Sequence, residues 1–290
     1  MTKLLLHIGH GKTGSSFIQS VLSQNHEKLT NEGILYPRYT NDDKAKEGRV
    51  TSGNGLILLD GPLECFGFHN IILSSEALFG YVQDKIFCCE KITDQFDEIT
   101  IILYTRNVME FLISAWGQHV KRNGVHLSLT DYLEQKYIKT NCKNSHHLGI
   151  LNIIKVAKEF DFKLVIRNYS NHRKNLIHDF TSVVLDVFDK NFNLDTKNMI
   201  VNRSLTRIEY QLIRHVNRIH PKLGRLASDT LVNMLPEIKP SIPPIQRDMF
   251  DKLEIMHQPI LQKVNQYIEE KEIISFGEEK NFIFVENQAK

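Results

Sequence analysis

The chain has 290 residues, 41% of them hydrophobic and 24% charged, with a formal net charge of +2. Such a composition belongs to a globular chain long enough for one large or two small cores, and it gives no ground for a nucleic-acid partner, so any electrostatic argument has to be local. Internal repeats and low-complexity segments are absent from it, and no apolar run is long enough to span a membrane. The four cysteines, Cys65, Cys88, Cys89 and Cys142, have no CxxC spacing and no nearby paired histidines. They read as reduced thiols, which with the absence of a recognisable signal peptide implies a cytoplasmic protein.

In chain order, the first element is the short continuous apolar run Leu4-Leu5-Leu6-His7-Ile8, as expected of a strand buried on both faces. A turn rich in glycine follows, Gly9-His10-Gly11-Lys12-Thr13-Gly14-Ser15-Ser16, and then Phe17, Ile18, Val21 and Leu22 at helical spacing. Strand, glycine turn and helix aim backbone N–H groups and a helix dipole at one point, which suits an anion, and Lys12 adds a positive charge there. A nucleotide P-loop would need a glycine five residues before Gly11-Lys12-Thr13, where this chain has Leu6. A shorter phosphate loop is therefore expected, the alternative being a tight turn with a solvated lysine.

Gly33-Ile34-Leu35-Tyr36-Pro37 predicts a short second strand, and the polar stretch 41–55 a loop, either a lid or a solvated connection. His69 to Glu76 predicts a third strand that ends in Ser74, Ser75 and Glu76, beside the first loop if the sheet is parallel. Either serine could cap the next helix, and Glu76 itself could be structural. A fourth strand, Ile99 to Arg106, leads into a helix through Phe111, Leu112, Ala115 and Trp116 that carries Ser114. Helices are expected over 127–138, 146–160 and 171–188, with a fifth strand at Phe162–Arg167 followed by Tyr169. Strands alternating with helices imply βαβ units and a parallel sheet, with a mostly helical final third. There, 201–225 holds Arg203, Arg207, Arg214, Arg218, Lys222 and Arg225 against Glu209 alone, opposite an expected apolar face of Leu205, Ile208, Leu212, Ile213 and Val216. Pro236, Pro240, Pro243 and Pro244 mark a turn-rich connection before a long amphipathic helix over 249–270.

Residues His7 to Ser16 resemble the 5′-phosphosulfate-binding loop of sulfotransferases that use 3′-phosphoadenosine 5′-phosphosulfate (PAPS). The resemblance is to bacterial and carbohydrate-directed members, which carry a Lys-Thr-Gly-[Thr/Ser]-[Thr/Ser] core there. A second signature of that family, an arginine ending a strand and a serine eight positions later that hold the 3′-phosphate, is matched by Arg106 and Ser114. The resemblance implies a single domain over 1–290 with a three-layer, P-loop-like α/β fold, an α/β core over 1–170 and a mainly helical part over 171–290. It implies a 5′-phosphosulfate site at Gly11, Lys12, Thr13, Gly14, Ser15 and Ser16, with Lys12 also at the leaving group and no metal requirement. Glu76 is the expected general base, as in several carbohydrate-directed members, and His10 is its rival. Asn202-Arg203-Ser204-Leu205 loosely resembles a nucleotide-contacting segment, which adds Arg203. The implied reaction moves a sulfuryl group from PAPS to an acceptor hydroxyl on a glycan or small molecule, releasing adenosine 3′,5′-bisphosphate (PAP). A kinase using ATP and a non-catalytic anion-binding protein are the alternatives.

Overall fold

The computed structural model describes residues 1–38, 53–59, 63–83, 92–143, 145–196 and 203–285. Apolar runs too short for helices become strands: β1 (Lys3–Gly9), β2 (Ile34–Leu35), β3 (Asn70–Ser75), β4 (Glu98–Thr105) and β5 (Lys163–Asn168). They form one five-stranded sheet, ordered β2-β3-β1-β4-β5, in which every pair is parallel. The mixed α/β fold with a central parallel sheet is therefore as expected. Central β1 is buried on both faces, which explains why its sequence does not alternate with polar residues.

Helices alternate with these strands: α1 (Ser15–Gln24), α2 (His26–Asn31), α3 (Leu78–Gln83), α4 (Val108–Arg122), α5 (Leu129–Leu133), α6 (His146–Glu159), α7 (Tyr169–His172) and α8 (Leu176–Phe188). On one sheet face Leu5, Ile72 and Ile102 pack against Ile18 and Leu22 of α1 and Phe180 of α8, all fully buried. Full burial of one such side chain stabilises by about 1.5–3 kcal/mol, so Leu5→Ala would cost roughly 2–5 kcal/mol. α8 packs on the sheet core, so the division expected at residue 170 falls inside a packed layer.

The chain separates into two compact units. The first is Met1–Arg106 with Gly149–Met199 and Tyr267–Ile273. The second is Asn107–Leu148 with Ile200–Gln266 and Ile274–Lys290. It contains α4, α5, α9 (Arg207–Ile219), α10 (Pro221–Met234), α11 (Arg247–Asn265) and the small parallel pair β6 (Ile245–Gln246) and β7 (Phe284–Val285).

Several boundaries differ from the sequence expectation for local reasons. The helix expected over 127–138 changes to a π turn at Glu134–Ile138. The basic stretch becomes two helices because His220 is extended and Pro221 starts a new one. The helix expected over 249–270 runs from Arg247 to Asn265. Most of the 41–55 loop, Cys88, Cys89 and the Val201–Asn202 start of the basic stretch lie outside the described residues. Cys65 and Cys142 are free thiols. Among the described residues no helix is long and apolar enough to cross a membrane.

Candidate active site

In the sheet register Ile8 pairs with Ser75 and Gly9 with Tyr104, so the residues that follow these strands leave the sheet side by side. Successive connections run to one side of β1 as far as β3 and to the other side from β4 onward. The carboxyl ends of β3, β1 and β4 therefore form the switch point where open α/β sheets bind ligands. His10 and Lys12, Glu76 and Arg106 all emerge there.

The loop after β1 has a conformation that few sequences tolerate. Lys12 has φ 70° and Gly14 has φ 81°, with Thr13 between them outside the positive-φ region. Such alternation turns successive amides toward one side and makes an anion-binding concavity. A non-glycine residue at positive φ costs on the order of 1–3 kcal/mol, so Lys12 is held in place by its surroundings. Thr13 is buried and its hydroxyl donates to the His10 carbonyl at 2.6 Å, bracing the loop. The Thr13 hydroxyl proton is thus committed within the loop, and the amides are what remain suited to a phosphate. Gly14 caps α1 in the left-handed region without a side-chain hydrogen bond, so the first-turn amides at Ser15 and Ser16 have no side-chain cap.

The glycines differ in why they are glycine. A Cβ at Gly14 would overlap Leu176 and crowd Tyr169, and one at Gly9 would overlap the Ser15 hydroxyl and press on Glu76. At Gly11, by contrast, no protein atom lies within 4 Å of the Cβ position. Packing inside the protein does not demand that glycine.

Glu76 follows β3 on an exposed corner, but protein atoms crowd its carboxyl. That desolvation raises its pKa above the ordinary carboxylate range, opposed by the Lys12 ammonium and by the Ser15 hydroxyl. The sequence left open whether this residue merely caps the next helix. The Ser75 hydroxyl accepts from the Ala77 amide at 3.2 Å, just before α3, while Ser74 pairs with His7 Nδ1 at 2.7 Å. His7 lies in the core against Tyr104 and Phe180, and burial pushes its pKa down to about 3. His10, the rival base, is fully buried with its ring 5.2 Å from that of Phe79. His10 is thus closed to solvent, whereas Glu76 is exposed.

Arg106 lies between the loop and the start of α7. Its guanidinium lies 3.4 Å from the Lys12 carbonyl and 5.5 Å from the centre of the Tyr169 ring. The residues flanking Tyr169 are held by a network that sequence reading missed. Buried Glu272 accepts from the Asn168 amide at 2.8 Å and meets His172 Nε2 at 2.8 Å. His172 Nδ1 lies 3.4 Å from Asp179, which also accepts from the Tyr104 hydroxyl at 2.5 Å. Arg167 lies 3.5 Å from Asp179 and 3.7 Å from Glu272. The partners are up to about a hundred residues apart in sequence, so no local pattern announces them.

Ser114 and Arg203 belong to the second unit. Ser114 is half-buried on α4, six residues after its first residue. Arg203 has all five guanidinium N–H groups engaged: Nε with Leu235 O, Nη1 with Ser204 O and Glu209 Oε2, Nη2 with Glu209 Oε1 and Leu231 O. This arginine braces the start of the hairpin, and a phosphate could claim it only by breaking that set. Glu209 is held at a pKa of about 2, chiefly by Arg203. Among the described residues no group of His, Cys, Asp and Glu could hold a metal ion.

No protein-family model matches the chain, and no curated protein matches it either. The fold is similar to the solved structure of a sulfotransferase from Alicyclobacillus acidocaldarius, with a TM-score of 0.46 and 13% identity over 91% of this chain and 94% of that one.

Proposed function

We propose that the chain is a sulfotransferase that moves a sulfuryl group from PAPS to an acceptor hydroxyl, with a carbohydrate as the acceptor class the motif resemblance favours. The observation that carries this reading is the meeting of two neighbouring strand ends, where Glu76 lies against Gly9 of a loop whose Lys12 and Gly14 are left-handed. The residues fit the donor: the open space at Gly11 leaves room for an anion, and the uncapped start of α1 presents N–H groups to a 5′-phosphate.

When bound, PAPS supplies an activated sulfuryl group on a phosphate leaving group. Lys12 would neutralise charge growing on the bridging oxygen as the S–O bond to the 5′-phosphate breaks. Glu76 would take the acceptor proton as the new S–O bond forms, and a pKa raised by desolvation makes it a stronger base than an ordinary carboxylate. Arg106 offers the planar fork that recognises a 3′-phosphate, with Ser114 as the second ligand by the motif. Such chemistry is largely positioning and charge stabilisation of an in-line displacement.

The experiment is transfer itself. Incubation of the chain with PAPS and a panel of carbohydrate, lipid-linked and small-molecule alcohols should give an acceptor heavier by one SO₃ group. The same panel with ATP should give no transfer, and transfer from ATP would make it a kinase.

A further inference from the structure

The outer face of the α9–α10 hairpin is partly inverted. Its inner side carries polar residues fastened to α4 and the chain after it: buried Asn217 donates to Val120 O and Val125 O at 2.9 Å, and Asp229 pairs with Arg122 at 2.6 Å. Large apolar side chains point outward instead. Ile208 is 77% exposed and Ile219 84%, with Leu212 between them, and Leu223, Leu226 and Met234 continue the exposed set on α10. Positions 208, 212 and 219 share one face of α9, and 223, 226 and 234 one side of α10. The sequence expects Ile208 and Leu212 to face inward with Leu205 and Ile213, but only the latter two are buried. Tyr210, packed 4.7 Å from the Trp116 ring, and Asn217 occupy the inward positions.

Charge on this face has one sign. The hairpin has two acids, Glu209 and Asp229, and both are paired inward, with Arg203 and Arg122. Arg207, Arg218 and Lys222 flank the apolar stripe and are exposed. Scattered exposed apolar residues need no explanation, but a contiguous stripe rimmed by cations of one sign does. We propose that this face docks in the plane of an anionic phospholipid bilayer, its isoleucines and leucines at the acyl boundary and its cations on the lipid phosphates. A second copy of the chain fits worse, because a symmetric contact would bring like charges together. Nucleic acid offers the cations a partner but the isoleucines none. The inference does not depend on the proposed sulfuryl transfer.

Sedimentation of the full chain with vesicles tests it. Phosphatidylcholine vesicles containing one-third phosphatidylglycerol should carry the protein down in dilute buffer, and pure phosphatidylcholine should not. Binding should fall steeply in about 0.5 M salt, where the Debye length is only a few ångströms. Arg218→Gln with Lys222→Gln should weaken binding about fivefold per cation removed. Ile219→Asp with Leu223→Asp should abolish it, while both double variants keep the melting temperature of the parent. Failure to bind anionic vesicles, or binding that neither double variant changes, overturns the proposal. Full competition by free glycerol phosphate would also overturn it, since a headgroup site would then suffice. So would sedimentation velocity showing a dimer that Ile219→Asp dissociates, which would make the face a self-interface.

Discussion

Arg106 and Arg203 carry the same planar fork, and the sequence suggests the same kind of ligand for both, yet the two regions that hold them are built differently. At the strand edge of the first unit, Arg106 is stacked near Tyr169 beside a loop whose backbone is bent into left-handed conformations at Lys12 and Gly14. In the second unit Arg203 is enclosed by a carboxylate and three carbonyls that take up its whole fork. The first region stores strain and concentrates charge around a carboxylate of raised pKa. The second removes charge from play, leaving a quiet brace at the base of the hairpin. Surroundings, and not residue type alone, decide whether a basic side chain is committed to protein partners or held beside a loop suited to an anion.

The contrast is broken most severely at Glu76. Glu76→Gln should reduce turnover by about 10²–10⁴, the usual worth of a positioned base, with PAP affinity near that of the parent. The acid limb of the parent's kcat profile should lie above the ordinary carboxylate range and disappear in the variant. A carboxyl whose folded pKa is raised binds more protons folded than unfolded, so stability falls as pH rises from its unfolded value of about 4.5 to its folded value. Glu76→Gln should therefore melt no lower than the parent at neutral pH, and a large drop would make Glu76 structural.

Lys12→Ala should lower turnover by about 10²–10³, the loss typical of one group stabilising transition-state charge, at every pH where Glu76 is ionised. Arg203→Gln should do the opposite kind of damage. It should destabilise by about 2–3 kcal/mol, below the 3–5 of a fully buried pair, because Glu209 keeps its bonds to Thr206. PAP affinity should not change. Because Glu209 is held at about 2, its stabilising contribution is present above about 4.5 and lost as pH falls toward 2. The acid stability gap between parent and Arg203→Gln should accordingly close over that window in urea titrations. The smallest effects separate two glycines. Gly14→Ala should cost about 1–3 kcal/mol of stability through its positive φ and its clash with Leu176. Gly11→Ala should leave the melting temperature unchanged and weaken PAP.

The strand edge was legible because its signals are local. A continuous apolar run, a glycine turn and hydroxyls before a helical period specify β1, the loop and α1 within about twenty residues of Leu4. Glu76 and Arg106 were visible as polar residues ending apolar runs. What escaped depends on tertiary choice. Asp179, His172 and Glu272 meet only after β5, α8 and the 267–273 segment are packed. Periodicity identifies the residues of α9 that share a face but not the face that turns inward, hence the misplacement of Ile208 and Leu212. For Arg203 a local signal existed: Thr206-x-x-Glu209 is a capping box, which marks Glu209 as fixed at the helix start and available to a neighbouring arginine.

The central claim, that the strand edge is a site for a 3′-phosphorylated nucleotide, is tested most directly by calorimetric titration with PAP and with AMP, which differ at the 3′-phosphate. One or two charge-assisted hydrogen bonds to that phosphate should make PAP bind about 10–100-fold tighter, and Arg106→Ala should abolish the difference. Equal affinities for PAP and AMP in the parent protein would contradict the account.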